Sequence, residues 1–376
     1  MTPVLAQTPT PIIPQAQLTQ FTNARKIVLY QHYAYLADQS QGIAVVDIAD
    51  PSAPRFLRFA PIPAGEQGGG WIGDLAAGDG YLVASNDVRE RLYFYSLADP
   101  ERPVVVGPGR GSSVYPHSGL IIRNGRLWVS GGDRRLEVYD LTNLNATPRI
   151  YLLSQFDANL AFDIAQSPNG AFLSGRRFDG NYAVIALNDA NYPDLASPAW
   201  ESVAFSVNPV SSYTLRCAWR NNHLFAASSS FLNIMAATEP RLLRRVNSVS
   251  VGRQLLDVAL SEEGYAVVSH VLSSGLSLID VRDPAGNIPG LPNPAVVRRL
   301  IPNPGGGTVL PSLAIRGRTL FAAGSEVAGL QVYDLGPHSS AGHLTMRRPP
   351  SPHADAHSHA DAHAGQRRPE PRRRGG

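Results

Sequence analysis

The stretch AYLADQSQGIAVVDIADPSAP, from Ala34 to Pro54, decides the fold. A short apolar segment, a polar turn, a second apolar segment and an Asp-Pro turn follow one another, which is typical of adjacent antiparallel strands. Related copies begin further along the chain at Tyr81, Leu127, Ala171, Leu224, Tyr265 and Leu320. Their spacing of about 48 residues is that of propeller blades, which are four-stranded sheets of roughly 40 to 50 residues.

The repeat predicts an all-β protein, a single seven-bladed β-propeller of four-stranded antiparallel blades over residues 15–338. One small sheet cannot bury both of its faces, whereas blades packed around an axis can. Residues 1–14 are predicted to be a Thr/Pro-rich linker or the remnant of an export signal, and residues 339–376 a disordered His/Arg/Pro-rich tail.

The seventh copy ends without an outer strand. The segment Gln15 to Thr22 precedes the first inner strand, and we expect it to supply the missing strand and close the ring. The segment Ala341 to Arg348 is the less favoured donor.

Composition excludes several classes of protein. The net charge of +3 arises in residues 341–376, where seven arginines against three carboxylates give +4 and leave −1 for the rest. A near-neutral body indicates no nucleic-acid partner. The single cysteine, Cys217, excludes an intrachain disulfide and Cys-based metal centres. No apolar run is long enough for a transmembrane helix.

The N-terminus leaves the compartment open. Val4-Leu5-Ala6 before Gln7 has the small residues of a signal-peptidase site, although no charged or hydrophobic leader precedes it. An ordinary start before a linker fits equally well.

The units AYLADQSQGIAVVDIADPSAP and LSLIDVRDP resemble the LVIVD repeat of bacterial proteins, within the wider YVTN and WD-repeat-like propeller superfamily. The motif expects Asp in the third strand, and Asp stands there at positions 47, 140, 280 and 334. Blades 2, 4 and 5 depart from it with Ser96, Ala186 and Ala236. The resemblance implies an exported or surface-associated propeller of mostly undefined activity.

The four third-strand aspartates are expected to be structural. Each stands at a strand end before a turn, where a carboxylate accepts backbone N–H bonds.

The starts of the inner strands predict a candidate site at the mouth of the central channel. Alignment places seven residues at a similar level: Lys26, Asp74, Gly119, Asp163, Arg216, Asp257 and Ser312. The candidates among these and their neighbours are Asp74, His117, Asp163, Arg216 and Asp257. Carboxylates with a histidine can hold a divalent cation or supply acid and base groups. Alternatively, each Asp tethers a neighbouring loop, which we favour because alternate blades hold the carboxylates apart.

Glycine-rich stretches suggest binding loops at the rim of the propeller. Gly65 to Asp74, Gly107 to Gly111 and Asn303 to Gly307 precede inner strands, and none has the spacing of a phosphate-binding loop. Trp71 and Arg110 are predicted to be exposed there, as an aromatic and an arginine suited to a binding hot spot. Trp71 covering the edge of its own blade is the alternative.

The tail carries a second candidate metal site, made of four closely spaced histidines. Imidazoles can bind zinc, nickel or copper, and the candidate ligands are His353, His357, His359 and His363. The arginine runs of the tail suit anionic surfaces. A tail without a selected role is the favoured interpretation.

No common catalytic motif occurs in the chain. We therefore predict a non-enzymatic, monomeric binding scaffold without a cofactor. It would be exported or held in the cell envelope and present rim loops to a protein or glycan partner. The alternative is a hydrolase-like or lyase-like propeller enzyme with a divalent cation at the channel mouth.

Overall fold

The computed structural model describes residues 12–336, with gaps at 22, 39–40, 62, 64–71, 87, 113–116, 132–134, 153–162, 168–169, 177–181, 189–201, 206–215, 229, 240–241, 253, 271–274, 290, 292, 301–311 and 325–328. All regular elements in this part of the chain are β-strands, which confirms the all-β class. Within it, no helix is long and apolar enough to cross a membrane.

The strands form antiparallel sheets whose members follow one another in the chain, except that the first strand joins the last three. The innermost strands are β2 Ala24–Tyr30, β6 Ile72–Gly78, β11 His117–Arg123, β15 Asp163–Ser167, β19 Arg216–Arg220, β23 Leu255–Leu260 and β27 Ser312–Arg316. The second strands are β3 Tyr33–Asp38, β7 Tyr81–Asn86, β12 Arg126–Gly131, β16 Gly170–Arg176, β20 His223–Ser228, β24 Tyr265–His270 and β28 Thr319–Gly324.

The outer halves of the sheets follow the same order. The third strands are β4 Gly42–Asp47, β8 Arg91–Ser96, β13 Arg135–Asp140, β17 Tyr182–Asn188, β21 Phe231–Glu239, β25 Leu276–Asp280 and β29 Gly329–Asp334. The outermost strands are β5 Arg55–Phe59, β9 Val104–Val105 with β10 Arg110–Gly111, β14 Arg149–Leu152, β18 Ser202–Phe205, β22 Leu242–Ser250, β26 Ala295–Leu300 and β1 Ala16–Leu18.

The sheets are arranged around an axis as blades. The innermost strands contact one another in the order β2, β6, β11, β15, β19, β23 and β27, and β27 in turn contacts β2. A β-propeller with four-stranded antiparallel blades is thereby confirmed.

The second blade departs from the regular pattern. Its outer strand is split, because two short strands, β9 and β10, both pair with β8. The interruption at 106–109 includes Gly107 with φ of 74°, a conformation that a glycine adopts without steric cost.

The N-terminal segment closes the ring. β1 pairs antiparallel with β29, with Ala16 opposite Val332 and Leu18 opposite Leu330. The Gln15 N–H also donates to the Val332 carbonyl at 2.8 Å. The predicted closure by residues 15–22 is thus confirmed, while the other donor, Ala341 to Arg348, lies outside the described residues.

Apolar clusters fill the spaces between adjacent blades. Between the first and second blades, Tyr35, Leu82, Tyr93 and Tyr95 belong to one cluster and each is at most 1% exposed. The alternation of strand residues places one set of apolar side chains on each face. Among the described residues, the first, second, sixth and seventh blades each share an apolar cluster with both neighbours.

The third-strand aspartates form turns, as predicted. Asp47, Asp140, Asp280 and Asp334 each accept the backbone N–H two residues later, at 2.9 to 3.1 Å. The Ser96 hydroxyl makes the corresponding contact in blade 2.

Candidate functional site at the channel mouth

The sequence alignment of the inner strands holds in the strand pairing. Lys26 pairs with Ala37, Gly119 with Ser130, Asp163 with Ser174, Arg216 with Ala227, Asp257 with Ser269 and Ser312 with Ala323. In the second blade a bulge lies between Ile72 and Leu75, and the Asp74 N–H donates to Ser85 Oγ at 2.8 Å. We call Lys26, Asp74, Gly119, Asp163, Arg216, Asp257 and Ser312 the channel-mouth residues.

Lys26 and Asp74 join the first two blades. Lys26 Nζ lies 3.0 Å from Asp74 Oδ1, and the Asp74 side chain is only 4% exposed. The same carboxylate oxygen accepts the Leu75 N–H at 2.8 Å. Oδ2 of Asp74 is buried and has no hydrogen-bond partner among the described residues.

Asp163 joins the fourth and fifth blades. One carboxylate oxygen lies 3.2 Å from Nη1 of Arg216, and the other accepts the Cys217 N–H at 2.7 Å. A carboxylate that pairs with a guanidinium and accepts a backbone N–H has its burial compensated.

Asp257 joins the sixth and seventh blades through the backbone alone. Its carboxylate accepts the Leu313 N–H and the Val258 N–H, each at 2.8 Å. Burial raises the pKa of Asp257, and the nearby charges of Arg216 and Lys26 only partly oppose this effect.

One geometric relationship recurs at three junctions. The side chain of a channel-mouth residue accepts the N–H that follows the channel-mouth residue of the next blade. The three pairs are Asp163 with Cys217, Asp257 with Leu313, and Ser312 Oγ with Ile27, the last at 3.3 Å. The predicted tethering role of the aspartates is therefore present, but the tether holds the next inner strand rather than a loop.

Gly119 contributes by its lack of a side chain. A Cβ at this position would lie 2.8 Å from Ile164 Cγ2 and 2.9 Å from Ser130 Oγ. The inner strands of the third and fourth blades consequently approach more closely than any larger residue would permit.

The charges of the site act on one another across the channel. Burial and the positive charge of Arg216 would lower the pKa of Lys26. The negative charges of Asp74, Asp163 and Asp257 outweigh them, so the pKa is raised. Arg216 behaves in the same way, since burial opposes its charge and the three carboxylates raise its pKa. Two cations and three carboxylates thus form one coupled network.

Of the predicted candidates, Asp163 and Arg216 are in direct contact, and Asp74 and Asp257 influence Arg216 through their charges. The backbone of His117 begins β11, two residues before Gly119, and its side chain lies outside the described part. Among the described residues, no group of three or more His, Cys, Asp or Glu side chains is placed to hold a metal ion. A divalent cation at the mouth stays a prediction.

Of the two residues predicted to lie in rim loops, Arg110 and Trp71, the structure describes only Arg110. Arg110 was expected to be exposed but is half-buried in β10, with its guanidinium carbon 6.0 Å from the centre of the Tyr139 ring. It packs between blades because β10 returns to pair with β8. Trp71 lies outside the described residues.

The candidate metal ligands of the tail also lie outside the described part of the chain, which ends at residue 336. Metal binding there stays a prediction from the sequence for all four histidines: His353, His357, His359 and His363.

Sequence reasoning missed the role of Lys26. It is the single lysine of the chain, and it was aligned with the starts of the inner strands but not counted among the site candidates. Its place in the aligned inner strands was the available signal, because a cation among three carboxylates at one level predicts an ion pair.

Comparison with known proteins agrees with the architecture. The LVIVD repeat model matches residues 22–58, which contain most of the first blade. No match to a curated protein was found. A chain of a structure titled "Crystal Structure of Mitotic Checkpoint Complex" is similar in fold, with a TM-score of 0.62 and 12% identity over 90% of this chain and 95% of that one. The chain is a β-propeller protein that matches the LVIVD repeat model at residues 22–58.

Proposed function

We propose that the protein is a non-enzymatic binding scaffold, a single seven-bladed ring whose channel-mouth face meets a protein or glycan partner outside the cell or in its envelope. The observation that carries this proposal is the use of the three carboxylates. Asp74, Asp163 and Asp257 all take part in ion pairs or hydrogen bonds that hold neighbouring strands. Groups so engaged stabilise a fold and are poorly placed to turn over a substrate.

Seven blades are supported by seven sheets and by the closed order of their innermost strands. Closure leaves no long unpaired sheet edge that would require a second copy, which supports a monomer.

The mouth face is proposed as the binding face because of the connections that lead into the inner strands. Four of them are ten or more residues long: 60–71, 153–162, 206–215 and 301–311. At the other end of the inner strands, the turn to the second strand usually has two residues, as at 31–32 and 79–80. Segments that connect the elements of a rigid scaffold are the usual carriers of binding.

Site-specific photocrosslinking in the producing cells tests this assignment. Val88 is 60% exposed in the turn between the second and third strands of blade 2, at the mouth end. Ile288 is 49% exposed in the connection between β25 and β26, at the opposite end, and is the matched control. A photoreactive residue at 88 should give a discrete adduct, and one at 288 should not. Equal labelling at both positions, or none at 88, would refute the proposed face.

The rival function, an enzyme with a cation at the mouth, has one favourable observation. Asp74 Oδ2 is a buried acceptor without a partner among the described residues, and hard cations bind carboxylate oxygens. Thermal unfolding after chelation, then with calcium, magnesium, manganese or zinc, separates the two functions. The scaffold predicts no ion-specific rise in the midpoint. A rise that is lost in Asp74→Asn would establish the cation site.

A further inference from the structure

A cleft of about 190 Å³ opens between the fifth and sixth blades, at the end of the inner strands opposite the channel mouth. The residues that form its polar and apolar walls include Arg220, His223, Phe225, Glu263, Arg282 and Pro284. A dry cavity of about 150 Å³ admits benzene, so this blade 5–6 cleft has room for one substituted ring.

The repeat shows how this junction differs from the junction of the first and second blades. At the junction of the first and second blades, the Tyr35 hydroxyl donates to the Pro100 carbonyl at 2.7 Å. Phe225 stands third in β20 as Tyr35 stands third in β3, and Pro284 follows β25 at the distance at which Pro100 follows β8. Phenylalanine has no hydroxyl, so the donor that reaches the proline carbonyl between blades 1 and 2 has no counterpart here.

Two further replacements change the chemistry of the junction. By the same register, His223 stands where the first blade has Tyr33, and Arg282 stands where the second has Ala98. The blade 5–6 cleft therefore has a cation and an imidazole in place of a phenol and a methyl group.

Hydrogen bonds within the sixth blade fix the position of the Arg282 guanidinium. Its Nε and Nη2 donate to the Asp280 carboxylate at 2.6 to 3.1 Å, which leaves Nη1 outside these bonds. Gly264 makes this placement possible, because a Cβ there would lie 2.5 Å from Arg282 Cγ. A guanidinium fixed at one edge and directed along a cleft recognises a carboxylate.

The other side chains that line the cleft determine which polar groups a ligand would need. Arg220 is engaged with the carbonyls of Ser261 and Glu262 and forms one wall. His223 Nδ1 lies 2.7 Å from the Asn221 carbonyl, which can only accept, so Nδ1 carries the proton. In the neutral ring Nε2 is then an acceptor. With Glu263 opposing two guanidiniums, the lining has a net charge of +1.

We propose that the blade 5–6 cleft binds a ring-sized hydroxycarboxylate. The carboxylate would contact Arg282, the hydroxyl would donate to His223 Nε2 or the Pro284 carbonyl, and the ring would pack beside Phe225, which lines the cleft. Either an aromatic acid or a sugar acid has this chemistry. The site is independent of a partner on the mouth face.

Calorimetric titration of the full chain with 4-hydroxybenzoate and with glucuronate tests the proposal and distinguishes the two sources. Benzoate and phenol, each lacking one of the two groups, are the reference probes. We expect saturable one-to-one binding of one hydroxycarboxylate and binding at least about tenfold weaker for benzoate and phenol.

Three variants locate the site. Phe225→Tyr supplies the missing hydroxyl and should abolish binding while preserving the fold. Arg282→Gln should weaken binding by about tenfold or more. Arg318→Gln removes an arginine that pairs with Asp334 in blade 7, outside the cleft, and should bind as the natural chain does. No saturable binding of either acid, or binding that survives Phe225→Tyr, would overturn the proposal.

Discussion

The Asp163 carboxylate in the fourth blade accepts the Cys217 N–H of the fifth blade at 2.7 Å, while its other oxygen pairs with Arg216. This one side chain satisfies the backbone of the neighbouring inner strand and compensates a partly buried cation. Asp257 and Ser312 repeat the backbone contact at two other junctions. The channel mouth is thus where polar bonds between blades supplement the apolar packing.

Asp257→Asn should cost less stability than Asp163→Asn. Burial raises the pKa of Asp257 above 3.8, so ionised Asp257 is disfavoured in the folded state, and Asn retains an acceptor for Leu313. A raised folded-state pKa contributes stability below the unfolded value that is lost as the pH rises through the folded value. Relative to the Asn variant, the natural chain should therefore lose unfolding free energy as the pH rises above 3.8. Urea unfolding across this pH range measures the difference in unfolding free energy between the natural chain and Asp257→Asn. If the natural chain gained stability relative to the variant as the pH rose, the account would be contradicted.

The pKa of Lys26 should lie above 10.5 in the folded chain. Its contribution to stability is complete below the unfolded value and is lost as the pH rises through the folded value. Because Lys26 is the single lysine, reductive methylation with carbon-13 gives one side-chain NMR signal, apart from the terminal amine that titrates near about 8.

Asp74→Asn should lower this pKa, because Asp74 is the largest source of the opposing charge effect. Arg318→Gln is the control, since that pair is exposed and lies in another blade. If the pKa of Lys26 were unchanged in Asp74→Asn, the ion pair between Lys26 and Asp74 would be refuted.

Gly119→Ala should destabilise the fold by about 1 to 3 kcal/mol, the usual cost of overpacking. The added methyl group would meet Ile164 and Ser130 at less than 3.0 Å. Gly111→Ala is the matched control, because nothing lies within 4 Å of a Cβ at Gly111. Chemical unfolding of both variants measures the contrast, and equal stability of the two would show that the third and fourth blades are not so closely packed.

Deletion of residues 1–19 should lower the unfolding free energy by several kcal/mol, at about 1 kcal/mol for each lost ladder hydrogen bond. The deletion removes β1, which pairs with β29. Deletion of residues 1–11 leaves β1 in place and should change stability little. Similar unfolding of the two truncated chains would argue against closure by β1.

The fold could be predicted from the sequence because turn-forming residues recur at fixed positions in the repeat and mark the ends of the strands. The Asp-Pro turn after Asp47 and the polar turn after Asp38 bound β3 and β4 as expected. The split outer strand of the second blade could not be predicted, since pairing of both Val104–Val105 and Arg110–Gly111 with β8 depends on tertiary contacts.

The sequence predicted which residues lie at the candidate site better than it predicted what those residues bind. Alignment placed Asp74, Asp163 and Asp257 at one level, because equivalent positions of a repeat occupy equivalent places. Their partners could not be predicted. Whether a carboxylate meets Cys217 N–H or a metal ion depends on the separation of inner strands in different sheets, which no local pattern specifies.

A double-mutant cycle on Asp163 and Arg216 tests the central claim most directly. Asp163→Asn, Arg216→Gln and the double variant are compared with the natural chain by urea unfolding at neutral pH. The claim that channel-mouth residues hold the blades together predicts that Asp163→Asn costs about 2 kcal/mol and that the two side chains are coupled by about 0.5 to 3 kcal/mol. Unchanged stability in Asp163→Asn with no coupling to Arg216 would contradict it and return the channel mouth to consideration as a catalytic site.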